Sequence, residues 1–242
     1  MNVPTLSGII DRRILINYSV DKDVITKILP SQFKPKLVKG RAIVGICLIR
    51  LKNVRPKGLP GAIGISSENA AHRIAVEWNE GSLKKEGVYI PRRDTSSTLN
   101  ALAGGCIFPG DHHLSDFSIE EGNTQYSISF KHKDGTYVTI EGQETTQWPA
   151  DSILDTFEKA SDFFQKGSVG YSPDKIGETY DGLELKTSKW EMFPLHVTHV
   201  DSSFFNNKKI FPEQSIRFEN ALLMKNIEHE WKSLNEIKKS DD

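Results

Sequence analysis

Apolar and polar positions alternate along most of this chain, and that alternation predicts strands far more often than helices. Residues 9–19 alternate imperfectly and run into Asp21, which is placed to cap a short helix over 22–29 that Pro30 stops. Residues 42–51 are β-branched and apolar on both faces, as a central strand covered on both sides requires. Residues 55–64 are rich in proline and glycine and read as a long loop. Strands are expected over 73–79 and 87–91, then a short helix over 97–104 capped by Ser96 or Ser97 and ended by Gly104-Gly105. Three meander strands follow at 114–119, 124–132 and 137–144, and Asp134-Gly135 marks the hairpin between the last two.

One segment breaks the period. Ile153, Leu154, Phe157, Ala160, Phe163 and Phe164 fall on one helical face, with Asp151 placed as the cap. A Gly/Ser/Pro-rich link leads to strands at 182–187, 190–200 and 216–224. The charged residues 232–242 read as a frayed tail. With no internal repeat and no interdomain linker, 1–242 reads as one mainly β (α+β) domain.

Composition narrows the function. The formal net charge is −1 and the basic residues are dispersed among acids, so no nucleic-acid partner is expected. No apolar run is long enough to span a bilayer, so no membrane partner is expected either. The amino terminus lacks the charged-then-apolar order of a secretory leader. Cys47 and Cys106 sit among apolar residues as reduced thiols, which points to the cytoplasm. Phosphate-binding loops and the G-x-S-x-G elbow are absent. His196 and His199, three apart on a strand, point to opposite faces, so no metal site is expected, and no cofactor is implied.

Several segments carry a resemblance. Residues 18–30 read Tyr-Ser-Val-Asp-Lys-Asp-Val-Ile-Thr-Lys-Ile-Leu-Pro. Residues 40–60 contain Gly-Arg-Ala-Ile-Val-Gly and end in Val-Arg-Pro-Lys-Gly-Leu-Pro. They precede a Glu68–Val76 strand, a Gly-Val-Tyr strand at 87–89 and the small-residue run 102–114. Together they resemble the DUF2071 or YqjF-like branch of the acetoacetate decarboxylase-like superfamily. The resemblance implies a closed, mostly antiparallel β-barrel or double sheet around an internal cavity, with a few short peripheral helices.

In the decarboxylases a Schiff-base lysine, activated by a neighbouring ammonium, occupies that cavity. The matching stretch here ends Phe108-Pro-Gly-Asp-His-His-Leu114. Anchored on Pro109, the lysine positions are Gly110 and Asp111; anchored on Leu114, they are His112 and His113. Neither registration supplies an amine, so imine-dependent decarboxylation is not expected. The family's pocket glutamate matches Glu68. Its pocket arginine falls opposite Asp11, and strand alternation favours Arg13 over Arg12 as the replacement.

The expected site is therefore His112, His113 and Glu68 for acid–base chemistry, with Arg13, Arg50, Cys106 and Phe108 binding a small carbonyl or carboxylate molecule. Two readings stay open: a lyase- or isomerase-like enzyme working without an imine, and a barrel that binds a small ligand without catalysis.

Overall fold

A computed structural model describes residues 4–103 and 110–239. The elements run β1 (Leu6–Asp21), α1 (Lys22–Thr26), β2 (Lys34–Pro35), β3 (Leu37–Val38), β4 (Arg41–Pro56), a 3-10 turn (Gly61–Ile63), β5 (Ile65–Glu80) and β6 (Leu83–Thr95). They continue with α2 (Thr98–Ala103), β7 (His112–Leu114), β8 (Asp116–Glu121), β9 (Gln125–Lys131), β10 (Tyr137–Glu144) and α3 (Phe157–Lys166). The last are β11 (Val169–Pro173), β12 (Thr179–Thr187), β13 (Phe193–Ser202) and β14 (Ile216–Lys238).

The hydrogen-bonded path runs β1-β4-β5-β6-β11-β12-β14, and β14 pairs again with β1, so these seven strands turn back on themselves in a ring. Beyond β14 the path continues through β13, β10, β9 and β8 as a second layer. Nearly every joint is antiparallel, as expected. Two short ones, β6 to β11 and β6 to β7, are parallel and make the sheet mixed.

Length lets β14 serve both layers. Its amino-terminal half pairs with β13, its carboxyl-terminal half with β12, and β1 runs along much of its length. The residues expected as a frayed tail therefore include a paired strand: Ser233, Leu234, Ile237 and Lys238 lie opposite β12. Their charge misleads because one face of this edge is solvated while Ile237 packs against the core.

Two apolar cores lie on the two faces of β1, β4 and β5. Ile14, Ile16, Val44, Ile46 and Leu48 pack outward under Ile128, Phe130, Val138 and Ile140 of the second layer. Leu15, Ile43, Cys47, Ile49 and Leu51 face the inside of the ring, joined by Ala160 and Phe164 of α3. Burying both faces is what made residues 42–51 apolar without alternation.

Two helix starts differ from expectation. Asp21 makes no cap bond, because its carboxylate is taken by Arg41. Thr156, not Asp151, caps α3: its hydroxyl accepts from Lys159 N at 3.3 Å. No helix among the described residues is long and apolar enough to cross a membrane.

Candidate functional site

All seven ring strands contribute to one cavity of about 120 Å³. Its wall is mostly apolar, with Ile49 and Leu51 from β4, Val88 and Ile90 from β6, and Leu183 and Leu185 from β12. Set into that wall are Arg13, Arg73 and Arg93, with Cys47, Asn69, Asn100, Asp94 and His112. No lysine is among the described residues that line it.

Cross-strand register explains how the arginines meet. Cys47 of β4 pairs with Ala71 of β5, which pairs with Arg93 of β6, so the three form one row on the inner face. Arg13 of β1 lies opposite Ile49, one alternation to one side of that row. Arg73 lies opposite Gly45, one alternation to the other side. Gly45 lets β1 approach closely, since a Cβ there would stand 2.1 Å from the Ile16 carbonyl oxygen; Arg73 Nη2 would be 3.4 Å from it.

None of the three arginines has a carboxylate partner among the described residues. Arg13 Nε donates to Cys47 Sγ at 3.4 Å, and its Nη1 is buried without a hydrogen bond. Arg73 donates through Nη2 to Asn17 Oδ1, lies 4.7 Å over the Phe164 ring, and has an unbonded Nε. Arg93 Nε donates to Ser172 Oγ at 3.0 Å. Burial lowers Arg73 and Arg93 to about 10, with Arg13 adding repulsion at Arg73, so both stay charged at neutral pH. Among the described lining residues the one carboxylate, Asp94, is already committed to Arg92 at 2.8 and 2.9 Å and to Ser115 at 2.8 Å. A buried guanidinium with no counter-charge is costly. Arg73 is buried and Arg13 and Arg93 are half-buried, and together they make the cavity strongly positive.

His112 enters this cavity from β7, next to Arg93 in register. Its Nδ1 lies 3.3 Å from the Gly110 carbonyl oxygen, which can only accept, so that contact needs a proton on Nδ1. Burial first and Arg93 second lower its pKa to about 3, which keeps the ring neutral. Gly110, aligned by one registration with a family lysine, has φ +84°, and a Cβ there would stand 2.7 Å from Ser172 Cβ. No side chain fits at that position. Asp111, the second aligned position, is exposed.

The remaining expected residues divide. His113, on the other face of β7, does not line the cavity; its ring is 5.1 Å from His132 and 3.9 Å from Asp111. Glu68 and Arg50 stand elsewhere, in an ion cluster on the outer face. Arg12 Nη2 meets Glu68 at 2.5 Å, Arg50 Nη1 meets Glu121 at 2.8 Å and Asp11 at 3.5 Å, and close contacts join Arg12 to Glu121 and Arg50 to Glu68. Glu68 therefore does not orient His112. Cys106 and Phe108 lie outside the described residues. Arg73, Arg93, Asn69 and Asn100 are site residues outside the expected set, and Cys47 was expected only as a buried thiol, although an arginine inside Ala70-Ala71-His72-Arg73-Ile74-Ala75-Val76 is itself a signal of inward charge.

Solved structures with the same fold are remote in sequence. Acetoacetate decarboxylase from Legionella pneumophila superposes with a TM-score of 0.61 at 12% identity, over 97% of this chain and 88% of that one. An acetoacetate decarboxylase-like enzyme from Sphingomonas wittichii RW1 gives 0.60 at 9%, over 98% and 93%. The enduracididine biosynthesis enzyme MppR, solved with pyruvate, gives 0.57 at 11%, over 100% and 92%. No curated protein matches the chain. The family model for DUF2071, described as uncharacterized conserved proteins, matches residues 10–221, and the chain belongs to that family.

Proposed function

We propose that the ring cavity binds a small carboxylate-bearing carbonyl compound and that His112 handles a proton on it, without an imine. The observation that carries this reading is the set of three arginines with no carboxylate partner among the described residues, in a wall otherwise largely apolar. Such guanidinia hold a carboxylate in bidentate fashion, and Asn100, whose Nδ2 gives one bond to Ser67 Oγ at 3.3 Å, has a second amide hydrogen for a carbonyl oxygen, whereas Asn69 is committed to Ser67 and Ile49. The neutral imidazole is a weak base. An anion that offsets Arg93 raises its basicity, so proton transfer is strengthened when ligand is bound. The pyruvate complex of MppR, a protein of the same fold, is consistent with a keto acid in such a cavity. Cys47, a free buried thiol, suits the reducing cytoplasm.

A second reading, binding without catalysis, is favoured by one observation: Glu68 is held in the outer ion cluster and gives His112 no carboxylate. Exchange of pyruvate methyl protons with D2O, followed by proton NMR, separates the two. The acid–base reading expects exchange above buffer that His112→Ala abolishes. Binding without exchange favours the second reading. A pyruvate adduct trapped by borohydride on any lysine overturns the imine-free chemistry.

A further inference from the structure

The cavity holds more positive charge than one carboxylate can offset. We infer that its ligand is a short aliphatic diacid, carrying two anionic groups; this rests on the reading of the cavity as an organic-anion site. Arg13 and Arg73 flank Cys47 from the strands on either side of β4, and each presents a buried nitrogen without a hydrogen bond. That makes one anionic station. Arg93 makes the other. It stands two strands from Cys47 in the same row, on the order of 10 Å between Cα atoms. There it is joined by Ser172, its hydrogen-bond acceptor, and by His112.

Between the stations the inner face is small and apolar, with Ala71 directly between Cys47 and Arg93 in register. A methylene bridge suits that gap better than a polar one. A volume of about 120 Å³ accepts on the order of ten water-sized groups, which matches a diacid of four or five carbons and is too small for a nucleotide. Asp94 cannot serve as the second counter-charge, being bonded to Arg92 and Ser115.

Titration calorimetry of the whole chain at fixed ionic strength, with succinate, 2-oxoglutarate, butyrate, pyruvate and inorganic phosphate, tests this. The diacids are expected to bind at least tenfold more tightly than the monoacids matched to them. Arg93→Met is expected to weaken the diacids at least tenfold more than the monoacids, circular dichroism reporting that the variant folds. Equal affinities of monoacids and diacids overturn the diacid inference and leave the anion site standing. Phosphate binding as tightly as the diacids overturns the two-station arrangement. If none of the acids binds, the anion reading falls as well. The comparison of wild-type affinities needs no variant, so a misfolded Arg93→Met does not rescue the claim.

Discussion

Arg12 and Arg13 are adjacent, and one peptide bond separates two electrostatic settings. Arg12 is almost fully buried with Glu68 and Glu121 on the outer face, whereas Arg13 turns to the cavity and, among the described residues, hydrogen-bonds a thiol. Their replacements should therefore behave oppositely. Arg12→Met strands two partly buried carboxylates and is expected to cost about 2 kcal/mol in urea unfolding, since Arg50 and solvent offset part of the loss. Arg13→Met removes an uncompensated charge and is expected to leave stability unchanged or raise it, while weakening pyruvate binding about tenfold or more. His72 offers a second test. It is fully buried, both ring nitrogens lack partners, and Phe204 and Phe205 lie 5.1 and 6.0 Å away. Burial lowers its pKa from 6.5 to about 4. The unfolded chain therefore binds this proton first as pH falls, so stability is full above pH 6.5 and is lost progressively down to about 4. The contribution is about 3 kcal/mol, and His72→Leu is expected to reduce the acid slope by one proton between those limits. An unchanged slope counts against the buried neutral ring.

Among the elements, β14 and α3 are where local reading and tertiary context part. The charged end of β14 is paired with β12 through Lys238. Removing residues 232–242 is expected to destabilise the ring by several kcal/mol, and amide exchange should show β12 exposed; an unaltered melting curve indicates that the tail is dispensable. At α3, Thr156→Ala is expected to cost about 1 kcal/mol and Asp151→Ala close to nothing, because only the threonine hydroxyl accepts from the first turn. The periodicity of apolar residues located the helix face correctly. It missed the start because Leu154 is buried and Ile153 half-buried by a turn preceding the helix.

For the whole molecule, the mainly β character, most strands and the family were legible from alternation and the segments around 18–30 and 40–60. Closure followed from the family resemblance, but the pairing that closes the ring was not legible, because β11 is a five-residue strand hidden in a Gly/Ser/Pro-rich link and joins β6 in parallel. The candidate site was legible at Arg13 and His112, through strand alternation and the matched turn. Glu68 and Arg50 failed to join them because residues adjacent in a motif take the face their register dictates, and here both face the outer layer. Arg73 and Arg93 needed the ring itself, since β5 and β6 bring them to the same interior only after pairing.

That interior is where the central claim is exposed to test. Titration calorimetry of pyruvate against its neutral amide measures it directly. Pyruvate is expected to bind, its affinity to fall as salt rises, and pyruvamide to bind at least tenfold more weakly. Equal affinity for acid and amide, or no binding of the acid, contradicts an anion site built on Arg13, Arg73 and Arg93.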